Sequence, residues 1–160
     1  MNARGSKARL PWVVLVAVGL LFCPSPGRTQ EEVIKIGMTN SFSGPLARSA
    51  TKVWQGVMVW QDWFNAQGGV LVKDKGKRMK AQVIYHDDES NRDNLIRLYE
   101  KLATGDGVHF FFGPFGSGQT FVAAPIADKH KKLMITTTGG SPSIYTQGYK
   151  LIIQGISQVD

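Results

Sequence analysis

The stretch Gly113-Pro114-Phe115-Gly116-Ser117-Gly118-Gln119-Thr120 directly follows the apolar run Val108-His109-Phe110-Phe111-Phe112. A glycine-rich loop between a strand and a helix points backbone N–H groups and the positive end of the helix dipole at a ligand. The spacing is that of a phosphate-binding loop, but Gln119 stands where such a loop needs a lysine. The stretch therefore predicts a strand-loop-helix unit that can hold a carboxylate as well as a phosphate, without nucleotide chemistry.

On both sides of this stretch, short apolar runs alternate with amphipathic ones, a pattern typical of a parallel sheet covered by helices. We predict five strands, at residues 33–38, 79–85, 108–112, 133–136 and 151–154, with a small hairpin from 70–73 across Asp74-Lys75-Gly76-Lys77 into strand two. The expected fold is α/β, a doubly wound and mostly parallel sheet with strand order 2-1-3-4-5.

Three longer helices connect these strands. The first has its apolar residues at helical spacing, Val53, Val57, Trp60 and Phe64, and stops at Gly68-Gly69. We expect Ser90 to cap the second helix and Gly105 to end it. The third is expected from about Gly118 to His130, with Ser117 as its cap and a kink at Pro125.

The ligand is expected at the carboxyl ends of the strands, where the strand order reverses between strands one and three. The loops that leave strands one, three and four there span residues 39–44, 113–120 and 137–141. All three are rich in hydroxyl groups and glycine, which offer short donors and exposed backbone to a small polar molecule. They contain no obvious catalytic acid, base or nucleophile.

Candidate chemistry elsewhere in the chain is weak. Asp87-Asp88-Glu89 could suggest Mg²⁺ or phosphoryl transfer, but Gly113 occupies the position where a phosphotransfer site needs an aspartate, so we favour carboxylates near a helix start. Ser117 has no triad partners in the usual order. The histidines show no metal-ligand spacing: His86, His109 and His130. We therefore expect no catalytic residues, no metal, no cofactor and no enzyme activity.

The first residues are typical of a signal peptide. Arg4, Lys7 and Arg9 precede the apolar run from Trp12 to Phe22, and a polar segment follows. The run is shorter than the roughly 20 apolar residues that span a bilayer. We expect residues 1–29 to be removed and the protein to be periplasmic or secreted. Lipid anchoring through Cys23 is disfavoured because the bulky Phe22 precedes it.

The remaining residues, 30–160, are expected to form one domain with a real core. Four of the 19 basic residues and none of the 12 acidic residues lie in the leader, so processing removes most of the formal charge of +7. The leftover balance, 15 basic against 12 acidic residues, does not indicate nucleic-acid binding. The basic run from Lys73 to Lys80 is interpreted as a solvated turn.

A set of motifs resembles, in order and spacing, the branched-chain amino-acid binding proteins of ABC importers. The set comprises Ser43-Gly44-Pro45-Leu46-Ala47, Phe64-Asn65-Ala66-Gln67-Gly68-Gly69-Val70, Asp87-Asp88, Phe112-Gly113-Pro114, Ala124-Pro125-Ile126-Ala127 and the hydroxyl-rich loop after strand four. The resemblance implies a type I periplasmic binding fold, in which two α/β lobes close over a solute. The expected partners are a small-molecule solute and an ABC permease in the membrane.

The resemblance also implies the ligand-binding residues. We expect Phe42, Ser43, Ser117, Gly118, Thr138, Gly139, Gly140 and Ser141 to line the site. Ser117 matches the family's serine that holds the ligand. Gly140 stands where the family has a threonine, and Ser49 stands where it has an aromatic residue that covers the ligand. These differences leave the solute open to amino acids, larger or aromatic acids, amides and other small solutes.

The expected function is therefore an extracytoplasmic solute-binding protein that delivers a small polar solute to an ABC transporter. A ligand-sensing domain of the same fold in a receptor or regulator is the alternative. The family chain is roughly twice as long, so this chain is expected to be the N-terminal lobe of a truncated product or fragment.

Overall fold

The computed structural model describes residues 32–156 as an α/β unit. Its strands are β1 (Ile34–Asn40), β2 (Val70–Val72), β3 (Lys77–Met79), β4 (Ala81–Asp87), β5 (Phe110–Phe112), β6 (Met134–Thr136) and β7 (Ile152–Gln154). Its α-helices are α1 (Ala47–Ala66), α2 (Arg92–Thr104), α3 (Ser117–Lys129) and α4 (Pro142–Tyr145). The predicted alternation of strands and helices is confirmed.

The main sheet has five strands in the order β4-β1-β5-β6-β7. All four strand pairs are parallel, and β1 pairs along its whole length with β4, from Ile34 opposite Ala81 to Asn40 opposite Asp87. In predicted numbering this order is 2-1-3-4-5, so the predicted doubly wound sheet is confirmed. The reversal of strand order lies between β1 and β5, which fixes where a ligand crevice forms.

Apolar side chains from alternate strand positions form two separate cores. One core has its buried residues on the sheet, α2 and α3: Leu95, Tyr99, Leu102, Val108, Phe111, Ala123, Ile126, Ala127 and Met134. The other is smaller and faces α1: Ile36, Met38, Val57, Ala81 and Val83, with Trp60 and Phe64 packed against it. The sheet is thus held between two helical layers, and the loops at its carboxyl edge rest on rigid elements.

The hairpin differs from its predicted form. Strands β2 and β3 pair with each other as a separate two-stranded sheet, and the chain breaks at Lys80 before β4 begins at Ala81. The predicted second strand, 79–85, therefore merged the end of the hairpin with the start of the main sheet. Gly76 has the predicted left-handed conformation, with φ +62°, which turns the chain between the two hairpin strands.

The predicted cap of α2 is wrong by one residue. Asn91 is the N-cap, and its Oδ1 accepts hydrogen bonds from the backbone N–H groups of Asp93 and Asn94. Ser90 instead joins two loops, because its Oγ accepts from Leu46 N and donates to Ser43 O. An amide and a hydroxyl in adjacent positions can both cap a helix, and the tertiary contact of Ser90 decides between them.

The predicted cap of α3 is also wrong. Gly116 is the N-cap, with φ +81°, and no side chain caps this helix. Ser117 is the first helical residue, and its Oγ accepts a hydrogen bond from Ser141 N instead. The helix continues through Pro125 to Lys129. The predicted helix is thus confirmed, and its start is shaped by a glycine whose positive φ other residues rarely adopt.

The predicted signal peptide, residues 1–29, lies outside the described residues. No helix within residues 32–156 is long and apolar enough to cross a membrane.

Candidate ligand-binding site

Hydrogen bonds join the β5–α3 and β6–α4 loops at the carboxyl edge of the sheet. Gly116 N donates to Thr138 Oγ1 at 2.7 Å, and Ser141 N donates to Ser117 Oγ at 3.2 Å. Thr137 Oγ1 adds a third link to Gly113 O at 3.0 Å. The two loops therefore form one polar surface joined by hydrogen bonds, although they are far apart in the sequence.

Close packing beneath this surface requires glycine at position 139. A Cβ atom at Gly139 would lie 2.5 Å from Thr120 Oγ1, well inside van der Waals contact. The carbonyl oxygen of Gly139 accepts hydrogen bonds from Thr136 Oγ1 and the Tyr145 hydroxyl. Gly139 and the neighbouring Gly140 are both buried. Gly139, a predicted site residue, thus contributes its backbone carbonyl and its close packing against Thr120.

The β1–α1 loop is tied to the β4–α2 loop by two carboxylates. The buried Asp88 accepts hydrogen bonds from Thr39 Oγ1 at 2.7 Å, Ser41 Oγ at 2.5 Å and Ser90 N at 3.0 Å. Asp87 accepts from Phe42 N and Ser43 Oγ, both at 2.9 Å. The acidic cluster therefore does more than follow a strand and precede a helix, because it fixes the first loop.

The pKa of Asp87 lies below its usual range. Burial alone raises the pKa, but hydrogen bonds from the backbone N–H groups of Glu89 and Phe42 and from Ser43 favour the charged form and outweigh burial. The carboxylate is therefore held ionised as an acceptor for the loop.

The ring of Phe42 packs in an aromatic cluster with Trp54 and Tyr85, with ring centroids 5.4–5.7 Å apart. Phe42 and Ser43, both predicted to bind ligand, thus have intramolecular partners on the β4 side of the site. The nearby cavity wall is formed by Pro45 and Leu46 of the same loop. Neither Phe42 nor Ser43 lines the cavity that contains Ser117 and Ser141.

Two open cavities of about 360 Å³ and 450 Å³ lie at the start of α3. The first is lined by Pro45, Leu46, Ser90, Arg92, Phe115, Gly116, Gly118 and Gln119. The second is lined by Arg92, Ser117, Gly118, Phe121, Val122, Ser141 and Ser143. Three of the predicted site residues, Ser117, Gly118 and Ser141, meet in the second cavity.

Two residues of these cavities were not predicted as site residues. Arg92 is the first residue of α2 and lines both cavities. Nothing in its sequence neighbourhood distinguishes it from other exposed basic residues. In the sequence, Gln119 stands out only because it replaces a phosphate-loop lysine, yet in the structure it is buried and lines the first cavity. Its place in the glycine-rich stretch was the signal that could have identified it.

The histidines each have a local partner away from these cavities. His86 Nε2 lies 2.8 Å from Asp106 Oδ2, His130 Nε2 lies 2.6 Å from Glu100 Oε2, and His109 Nδ1 accepts from Lys35 N. Within the part of the chain that the structure describes, no group of three or more His, Cys, Asp and Glu residues could hold a metal ion.

Comparison with known proteins agrees with this architecture. The model of the family described as "Periplasmic binding protein" matches residues 33–150. The Leu/Ile/Val-binding protein of Escherichia coli K12 is 28% identical over 123 residues, covering 77% of this chain and 32% of the relative. A leucine-, isoleucine-, valine-, threonine- and alanine-binding protein of Pseudomonas aeruginosa is 31% identical over 125 residues, covering 78% and 32%. The chain thus spans about a third of the length of these curated relatives.

Solved structures give the same result. A branched-chain amino acid transporter substrate binding protein of Streptococcus pneumoniae, in complex with isoleucine, matches with a TM-score of 0.69 and 28% identity, covering 79% of this chain and 34% of that one. A solute binding protein of Rhodopseudomonas palustris, in complex with 3,4-dihydroxy benzoic acid, matches with a TM-score of 0.64 and 25% identity, covering 79% and 32%. The described residues fit an N-terminal lobe, and the family consists of solute-binding proteins and not of enzymes. This chain belongs to the periplasmic binding protein family.

Proposed function

We propose that this chain binds a small polar solute, an amino acid or a related carboxylate or amide, for delivery to a membrane permease of an ABC importer. The observation that carries the proposal is the joined surface of the β5–α3 and β6–α4 loops, where Ser141 N donates to Ser117 Oγ. This surface lies at the carboxyl edge of the sheet beside the reversal of strand order, where such folds bind ligands.

The chemistry of this surface suits a ligand with hydrogen-bond acceptors. Ser117 Oγ is an acceptor toward Ser141, so its own proton remains available to a ligand oxygen. The N–H groups at the start of α3 and the positive end of its dipole favour an anion in the same place. A carboxylate oxygen above Ser117 would gain from all of these groups at once.

The family relationship supports the remainder of the proposal. The neighbours carry isoleucine in one case and an aromatic acid in another, which is the range of solutes that we propose here. The solute would be enclosed when a second lobe closes on this one. We further propose that residues 1–29 direct export to the periplasm and are then removed. The intact mass of the exported protein should therefore correspond to a chain without this leader. A mass that includes Met1 would contradict the proposal.

Binding can be tested by ¹H–¹⁵N spectra of the chain titrated with L-isoleucine, L-leucine and 3,4-dihydroxybenzoate. We expect the amide signals of Ser117, Gly118 and 138–141 to shift for at least one of these solutes. Ser117→Ala should lower the affinity for that solute about tenfold or more, because a hydrogen bond to a charged group contributes about 1.5–3 kcal/mol.

Thr104→Ala is the matched control. It also deletes a hydroxyl, but Thr104 lies at the far end of α2, where its Oγ1 donates to Glu100 O. Equal affinities of the Ser117→Ala and Thr104→Ala variants, or titrations that leave residues 117–118 and 138–141 unshifted, would reject the proposed site.

A further inference from the structure

The cavity between the β1–α1 loop and the start of α3 has polar and apolar walls. Pro45, Leu46 and Phe115 supply apolar surface, while Arg92 and Gln119 supply hydrogen-bond donors. Of the residues predicted to bind the solute, only Gly118 lines this cavity. This cavity is therefore a second compartment, which adjoins the cavity of Ser117 and Ser141 at Arg92 and Gly118.

Gln119 lines this compartment, and one atom of its side-chain amide, Nε2, is buried without a partner. The residue is 5% exposed, and its Nε2 has no hydrogen-bond partner among the described residues. A buried N–H group without an acceptor is unfavourable, and such groups in native proteins call for an explanation. Nε2 itself has almost no accessible surface, so a rotation of the Gln119 side chain toward the cavity would let a ligand supply the acceptor and remove the penalty.

Arg92 is an exposed residue whose charge no side chain of the described protein neutralises. Its guanidinium group makes no ion pair or hydrogen bond within residues 32–156, and its Nη2 would lie 3.5 Å from a Cβ atom placed on Gly118. The cation thus lies against the positive end of α3, where a cation is unfavourable. The backbone N–H groups of Gly118 and Gln119 also have no acceptor in this part of the chain.

The nearby carboxylates do not supply the missing acceptor. Asp88 accepts from Thr39, Ser41 and Ser90, and Asp87 accepts from Phe42, Ser43 and Glu89. Glu89 Oε2 accepts from Asn94 Nδ2 at 3.2 Å. Arg92 and Gln119 Nε2 are thus donors without a partner among the described residues, and a charged donor such as Arg92 forms strong hydrogen bonds with an anion.

We propose that Arg92 and Gln119 form a specificity subsite for a second acidic group of the solute. The proposal rests on the solute-binding function proposed above. Arg92 and Gly118 line both cavities, so a solute that contacts Ser117 with one end can reach Gln119 with the other. The preferred solute class is a small dicarboxylate or an amino acid with an acidic side chain, with its carbon chain against Leu46.

L-glutamate and L-leucine test this proposal because they share the α-amino acid group and differ in the side chain. In ¹H–¹⁵N titrations of the full chain, we expect L-glutamate to shift the side-chain NH₂ signals of Gln119 and to bind about tenfold or more tightly than L-leucine. Arg92→Gln should abolish this preference, and Gln119→Met, which keeps the side-chain size without a donor, should reduce it.

Arg97→Gln is the matched control. Arg97 lies on the same helix, is exposed, and has Asn94 Oδ1 as its acceptor, outside both cavities. It should retain the preference for L-glutamate, and thermal unfolding of each variant checks the fold. Equal loss in the Arg92 and Arg97 variants would overturn the subsite, since it would indicate a general charge effect.

The outcomes separate this subsite from the proposed function. Shifts at 138–141 with unchanged Gln119 side-chain signals would retain the solute site and overturn the second subsite. Unchanged signals in both loops would overturn both proposals. A shift of the Gln119 signals that Arg92→Gln leaves intact would overturn the role of Arg92.

Discussion

The two carboxyl-edge regions of this lobe use charged side chains in opposite ways. Between the β1–α1 and β4–α2 loops, the carboxylates of Asp87 and Asp88 have several donors each from the neighbouring loop and from their own backbone. At the start of α3, by contrast, Arg92 and Gln119 Nε2 have no acceptor among the described residues.

The difference indicates how the edge divides its tasks. Buried polar groups that are fully hydrogen-bonded hold a structure in one arrangement, and a buried donor without a partner, such as Gln119 Nε2, gains free energy when a ligand supplies an acceptor. We therefore expect substitutions in the first region to change the stability of the fold, and substitutions at the start of α3 to change binding. Substitutions in either region can contradict this expectation.

The largest expected effect is that of Asp88→Ala. Removing the buried carboxylate leaves Thr39 Oγ1, Ser41 Oγ and Ser90 N without an acceptor, and each unsatisfied buried group costs about 1–3 kcal/mol. We expect the free energy of unfolding to fall by roughly 3–5 kcal/mol in urea denaturation.

Asp74→Ala is the control for this substitution, because Asp74 is an exposed residue of the hairpin turn. Its effect should stay within about 0.5 kcal/mol. A loss below about 1 kcal/mol for Asp88→Ala would show that water or a rearranged loop satisfies the three donors, and the first region would not be a structural lock.

The next effect compares two glycines. Gly139→Ala places a Cβ atom 2.5 Å from Thr120 Oγ1, and such overpacking typically costs about 1–3 kcal/mol. Gly56→Ala has open space around the new Cβ atom in the middle of α1. This second change should stabilise the protein by about 0.5–1 kcal/mol through helix propensity.

Opposite signs for these two variants in thermal unfolding would confirm that close contact fixes the β6–α4 loop against α3. If Gly139→Ala were as harmless as Gly56→Ala, the loop would be free to shift. The polar surface on which the proposed solute site depends would then be in question.

The strand order and the layers of this fold follow from the sequence because they depend on repeated features. Val108 to Phe112 and the other apolar runs mark buried parallel strands, and the helical spacing of Val57, Trp60 and Phe64 marks the packed face of α1. Many residues contribute to each such pattern, so single misassigned positions do not alter the result.

Caps and site contacts were less predictable because single tertiary contacts decide them. Ser90 and Ser117 are both of a residue type that commonly caps helices, yet each uses its hydroxyl to join a distant loop. Arg92, which lines both cavities and was not predicted, lies next to Gly118 only after the chain folds. Local sequence preferences contain no information about such partners, which lie more than 20 residues away.

The smallest expected effect is a pH dependence that belongs to Asp87. Because its pKa in the folded protein is below the usual value, the unfolded chain takes up its proton first as the pH falls. The stabilisation by Asp87 is therefore complete above the ordinary aspartate pKa, near 4, and is lost as the pH falls through the lower folded pKa.

Asp87→Asn removes this titratable group, so comparison with the wild-type protein gives the contribution of the Asp87 charge to stability. The difference in free energy of unfolding between the wild-type protein and Asp87→Asn should be largest at neutral pH and should shrink as the pH falls below about 4. Glu32 and Glu100 also have lowered pKa values from their lysine contacts and, for Glu100, His130, but they titrate in both proteins and cancel in the difference. A difference that stays constant from neutral to acidic pH would mean that the bonds from Phe42, Ser43 and Glu89 do not depend on the charge of Asp87. The side chain of Asp87 would then act only as a hydrogen-bond acceptor of the right geometry. Its charge would no longer distinguish this region from the start of α3.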